Sequence, residues 1–169
     1  MVKEFSEAIK ELESSKEYEK FSKENPSYTL AHGFIQLNKD FSEKSPWQIG
    51  FYSKEKDNLA IFELNPIKLL DFENAFKEEG IIQELTNLKS FVSTKQILEH
   101  LNEHITKKYS SQIPNSFLMI VQVIDGQQIY NITTITQAFM MINTRFDAKT
   151  SEIILDEIRS VLDLRNGNI

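Results

Sequence analysis

Asp125 and Gly126 stand between two runs of β-forming residues, "SFLMIVQVI" (116–124) and "QQIYNITTI" (127–135), and this pair constrains the fold more than any other feature of the chain. A two-residue loop between antiparallel strands needs positive φ at its central positions. Asp tolerates that conformation and Gly adopts it freely, so the pair predicts a tight hairpin. The first strand is apolar on both faces apart from Gln122, which predicts a place in the interior of a sheet. A lone hairpin is marginally stable in water and must pack on further strands or a helix. With 169 residues the chain has length enough for one sizeable core.

The remaining patterns supply those partners. "SYTLAHGFIQL" (27–37), "WQIGFYS" (47–53) and "NLAIFEL" (58–64) read as strands, with the polar link "SKEKD" as a turn. Trp47, Ile49 and Phe51 alternate with Gln48, Gly50 and Tyr52, so the first group should face the core. "FMMINTRF" (139–146) reads as a strand, and "EIILDEI" (152–158) as a strand or a short helix. Phe5, Ala8, Ile9 and Leu12 recur at helical spacing, and Ser14 to Glu17 has the capping-box form that restarts a helix until Pro26. The same form at Ser93 to Gln96 opens the best helix, with Ile97, Leu98, Leu101, Ile105 and Tyr109 as its apolar stripe, before Pro114.

Residues 65–92 carry no clean period and read as a connector, with a turn or two of helix in "LLDFENAFKEE" ended by Gly80; the final "RNGNI" should fray. The expected class is therefore α+β, helices packed on a curved antiparallel sheet, in one compact domain spanning 1–169. Its two halves, 15–64 and 93–158, each run helix then strands. Tyr130 can be set under Trp47, but a second offset competes, so duplication is an architectural expectation and not a demonstrated repeat.

Composition narrows the partners. A formal charge of -6 and a pI near 5.2 repel phosphate backbones, so nucleic acid is not expected. The longest apolar runs fall far short of the roughly 20 residues that cross a bilayer, so no membrane span is expected. "MVKEFSEAIKELESSKEYEKF" alternates charges where a signal peptide needs an apolar stretch, which points to the cytoplasm. The absence of cysteine removes disulfides, thiolate nucleophiles and Cys-based zinc sites.

Few residues offer chemistry. "HLNEH" (100–104) has the H-x-x-E-H form in which His100 and His104 would hold zinc and Glu103 would polarise water. Against this, three fixed identities arise easily by chance on a Glu-rich helix, and no third ligand can be nominated. His32 lies on a strand with Leu30 and Phe34; a hydrogen-bonded histidine near the core is the plain reading, a three-His site with His100 and His104 the sharper one. No G-x-S-x-G, G-x-G-x-x-G or Walker-type loop is present. Asn131-Ile132-Thr133 is a sequon within a strand, read as strand chemistry. The polar turn "FDAKTSE" (146–152) is either a corner, with Asp147 bonding the backbone ahead of it, or a cation loop; the spaced oxygens and internal Gly of an EF-hand are missing.

The strand "IYNITTI", followed by "TRFDAKTSEIIL" after a helix, resembles the PepSY-like module, whose second strand ends in Asp-Ala-x-Thr-Gly-Glu before another aliphatic strand. The likeness covers 93 to about 158, with a looser echo in 15–64, and "WQIGFYSKEKDNLAIFEL" looks like segments of uncharacterised archaeal proteins of this type. Ser151 departs from the pattern, standing where the module has Gly. The resemblance implies a helix laid on a curved antiparallel sheet and a group associated with restraining peptidases or serving as binding modules. It brings no catalytic residues. The expectation is thus a non-enzymatic soluble binding or regulatory module with no cofactor. It would meet a protein segment at a strand edge or helix–sheet groove, with homo-oligomerisation through a sheet edge as a further mode; the alternative is a zinc-dependent hydrolase using residues 100–104.

Overall fold

The computed structural model describes residues 1–74 and 82–165. Helices α1 (Phe5–Glu13) and α2 (Lys16–Glu24) lead into strands β1 (Tyr28–Asn38), β2 (Gln48–Ser53), β3 (Asn58–Glu63) and β4 (Lys68–Asn74). Helix α3 (Thr94–Lys108) then leads into β5 (Pro114–Ile124), β6 (Gln127–Thr136), β7 (Met140–Asp147) and β8 (Ile153–Ser160), and a short α4 (Val161–Arg165) follows. The strands form one eight-stranded antiparallel sheet in the order β4-β3-β2-β1-β5-β6-β7-β8. Two four-stranded meanders, each entered from a helix, therefore meet where β1 pairs with β5, from Gly33 opposite Val121 to Asn38 opposite Ser116. The chain is α+β, and its sheet is not closed into a barrel.

Local chemistry accounts for most boundaries. Asp125 and Gly126 adopt φ of 50° and 78°, the pair of positive angles that the β5–β6 hairpin requires, and β5 lies inside the sheet as expected. Ser93 caps α3 reciprocally, accepting from the Gln96 amide at 3.2 Å and donating to its side-chain oxygen at 3.1 Å. At α2 the cap is Ser15 and not Ser14: Ser15 Oγ accepts from the Tyr18 amide at 3.1 Å, whereas Ser14 Oγ donates to the Lys10 carbonyl and satisfies the end of α1. The ambiguous segment 152–158 is strand, because β7 offers it a full antiparallel partner from Phe146 to Met140.

The connector expectation for 65–92 needs correcting. "LLDFEN" is not helical; it belongs to β4, paired along β3 from Asn58 opposite Asn74 to Glu63 opposite Lys68. Its helix-forming residues carry only a weak preference, which the free edge of β3 overrides. The rest of that expected helix, including Gly80, lies outside the described residues, as does most of the terminal "RNGNI".

The two faces of the sheet differ. Ile35 and Leu37 of β1, Trp47 just before β2, Ile49 and Phe51 of β2, and Phe117, Met119 and Val121 of β5 share one face and one core with Phe5, Ile9 and Leu12 of α1 and Ile97, Leu101 and Ile105 of α3. Trp47, Ile49 and Phe51 thus face the core as the alternation predicts. The start of α1 fastens this layer: the Trp47 indole N–H donates to the Lys3 carbonyl at 2.9 Å, and its ring lies 5.3 Å from that of Phe5. Glu4 reaches across to α3, accepting the Thr94 and Lys95 amides at 2.6 and 3.2 Å, so a carboxylate sits at the positive end of that helix.

Gly33 decides how closely α1 can settle. A Cβ there would fall 2.3 Å from Phe5 Cε2, so the ring rests directly on the strand backbone. Gly33→Ala should destabilise the protein by about 1–3 kcal/mol through overpacking, measured by denaturant unfolding; an unchanged midpoint would show that Phe5 can move aside without cost.

Candidate functional site

The polar turn after β7 is a corner built from its own bonds. Asp147 Oδ1 accepts the Lys149 and Thr150 amides at 2.8 and 2.9 Å, while Oδ2 accepts the Gln127 side-chain amide at 2.8 Å. The Ser151 amide donates to the Asp147 carbonyl at 2.9 Å and the Glu152 amide to Thr150 Oγ1 at 3.2 Å. Both oxygens of Asp147 are thus spent on folding the turn. Burial alone would raise this carboxyl, but the Gln127, Thr150 and Lys149 donors hold it below its ordinary range. Ser151 has φ of 60°, the conformation a Gly would supply, so the turn keeps that geometry and Ser bears the strain. Ser151→Gly should therefore raise stability by up to about 1 kcal/mol, read from the unfolding midpoint; a loss would mean that the Ser side chain contributes something else.

The H-x-x-E-H residues do not converge. The His100 ring packs edge-on against Phe146, 5.2 Å between centroids, and Glu103 is exposed. His104 Nε2 lies 2.9 Å from Asp156 Oδ2 on β8, where the same carboxylate also receives Lys108 Nζ at 2.5 Å and the Tyr109 hydroxyl at 3.0 Å. His32 is on the opposite side of the sheet: its neighbour Gly33 faces Phe5, and its own ring lies over Gly50. The sheet stands between His32 and the other two histidines, which removes the three-His arrangement. His32 makes no hydrogen bond among the described residues, so the expected bonded core histidine is a half-buried one whose pKa is lowered by burial. Among the described residues no three His, Asp or Glu side chains stand close enough to hold a metal ion.

Asp156 works as a clamp between helix and sheet edge. Burial pushes its carboxyl upward, but Lys108, His104 and Tyr109 outweigh that and hold it low. A carboxyl depressed in the native state contributes stability above its unfolded pKa and loses that contribution as the pH falls through the native value. Asp156→Asn should cost about 1–3 kcal/mol at pH 7, and the gap from the parent chain should close as the pH drops below about 4. A gap independent of pH would show that the side chain acts by packing and not by charge.

Among the described residues, the face of the sheet turned away from the helices holds three of the five buried side-chain atoms without a hydrogen-bond partner; the other two, Thr134 Oγ1 and Thr144 Oγ1, lie on the covered face. Register places Gln48, Phe34, Ile120, Asn131, Arg145 and Leu155 in one row across six strands. Asn143 stands beside that row, two residues before Arg145 on β7. Asn131 Oδ1, Asn143 Oδ1 and Arg145 Nε are the buried atoms on this face without a hydrogen-bond partner among the described residues. Arg145 makes no ion pair among the described residues. Glu63 closes the far end of the row but already receives Gln48 at 3.2 Å and Lys68 at 3.5 Å, and five strand spacings put it about 24 Å from Arg145. Burying a guanidinium nitrogen and two amide oxygens unpaired is costly, and the fold draws no visible return from it.

A groove of about 700 Å³ runs between α1 and the segment around the 3-10 turn Leu88–Ser90, reaching Phe5, Ile9, Phe91 and Tyr130. Of its polar groups, Glu4 caps α3 and the Tyr130 hydroxyl donates to the Val92 carbonyl at 2.8 Å, its pKa pushed up by burial, while Lys10, Glu13 and Lys89 also line it. Of the two surfaces, the open sheet face is the one that holds buried polar atoms without a partner among the described residues. The sequence carried a signal for it: Arg145 is the only Lys or Arg between Lys108 and Lys149, set inside an apolar strand.

No protein-family model matches the chain, and no curated protein does. Among solved structures, a "putative lipoprotein" from Clostridium difficile 630 is similar at 11% identity, over 83% of this chain and 89% of that one, with a TM-score of 0.49. A likeness at that level carries no argument about fold or function here.

Proposed function

We propose that this protein is a non-enzymatic binding module that receives a segment of a partner protein on its open sheet face, with Arg145 taking a carboxylate of the partner. The observation that carries the reading is the unpaired Arg145 guanidinium flanked by the unpaired oxygens of Asn131 and Asn143. The guanidinium fork suits an Asp or Glu side chain, while the two amide oxygens, which only accept, would take N–H or O–H donors of the partner. Phe34, Ile120 and Leu155 in the same row supply the apolar contact that would surround such a charge and keep water from it. The row spans six strands in a broad surface, which favours a protein over a small molecule held in a concave pocket. The PepSY-like resemblance of 93–158 makes a peptidase the partner class to try first.

The reading makes Arg145 a cost to the free protein and a gain in the complex. Arg145→Leu should leave stability unchanged or raise it, since the unpaired buried nitrogen disappears. It should also abolish capture of the partner from an extract of the source cells, with the exposed substitution Lys16→Ala as the control. Destabilisation by Arg145→Leu by more than about 2 kcal/mol, or undiminished capture by it, would refute the assignment.

A further inference from the structure

We propose that the protein pairs with a second copy of itself along β8, extending the sheet across a two-fold axis. β8 ends the sheet order, so the backbone groups on its outer side have no strand beside them among the described residues. It contains neither Pro nor Lys, the residues that commonly guard an edge, and Ile154 and Ile158 are 43% and 38% exposed. Leu162, at the start of α4, is 59% exposed just beyond it.

The sequence of β8 is complementary to itself in one register. If both copies keep their helices on the same side, antiparallel β8 strands pair about a residue that faces its own counterpart. Pairing about Glu157 sets two carboxylates against each other, and pairing about Arg159 sets two guanidinium groups together. Pairing about Ile158 places each Glu157 opposite the other copy's Arg159, giving two cross-strand ion pairs on the open face. On the helix side the same register brings the exposed Ile158 against Ile158. Asp156 then faces Ser160, a hydroxyl, and meets no like charge. In the single chain, among the described residues, Glu157 and Arg159 pair with each other, 3.4 Å apart on the surface.

The other edge, β4, is interrupted by an irregularity at Leu70, between the pairs Phe62–Leu69 and Ile61–Asp71, whereas β8 pairs regularly from Leu155 to Ser160.

The test is the mass in solution of the full chain and of two charge variants, with far-UV circular dichroism to show that each is folded. The parent chain should show twice 19.7 kDa. Glu157→Arg alone and Arg159→Glu alone should each show the single-chain mass, because each sets like charges opposite one another. Their equimolar mixture should return to the double mass, since the exchanged charges match again. A parent chain of single mass at every concentration, a variant that keeps the double mass alone, or a mixture that stays single would each overturn the proposal. Should either charge variant fail to fold, Ile158→Lys, which sets two ammonium groups at the axis, must give the single mass or the proposal falls.

Discussion

The antiparallel pairing of β1 with β5 is the constraint on which the rest of the structure depends. Six residue pairs, from Gly33 and Val121 to Asn38 and Ser116, fuse two meanders that would otherwise be separate four-stranded sheets. Because the fusion is in register, Ile35 and Leu37 fall on the same side as Phe117, Met119 and Val121, and α1 and α3 share a single core above them. The helix layer is then fastened to itself by Glu4 at the start of α3 and by Phe5 on the backbone of Gly33. Loss of the central pairing would leave each half with too little apolar surface to cover.

A single helix layer leaves a sheet with two unlike faces. On the covered face, the Tyr130 hydroxyl donates to the Val92 carbonyl, while Thr134 Oγ1 and Thr144 Oγ1 are buried without a partner among the described residues. On the open face the chain keeps Arg145, Asn131 and Asn143 with buried atoms unpaired. Local conflict of that kind inside an otherwise consistent fold is where function is expected, because only a bound partner returns what the free protein gives up. The polar turn at Asp147 and the helix-borne imidazole of His104 look more like sites in the sequence, yet each has its bonding capacity spent on structure.

The local elements were largely legible in the sequence, and their failures have physical reasons. The Asp125-Gly126 hairpin, the Ser93 cap and the Asp147 corner all rest on short-range chemistry, and all stand as read. The connector was misread because β4 owes its state to a partner strand far away in the fold, not to its own residues. The role of His32 was misread in part for a related reason: which side of the sheet each histidine occupies depends on register, including the irregularity between Leu30 and His32. Arg145 was not read as a candidate because an arginine of this kind declares itself by the absence of a partner, which no spacing rule encodes. Its isolation from other basic residues was the available clue.

The central claim, that the open face and not the helix layer is where a partner docks, is tested most directly by photo-crosslinking. A photoreactive residue placed at Phe34 or Leu118 on the open face, and in separate proteins at Lys16 or Glu103 on the helices, reports which side touches a partner in the source cells. Adducts from the open-face positions and none from the helical ones are the predicted result. Adducts from the helices alone would contradict it.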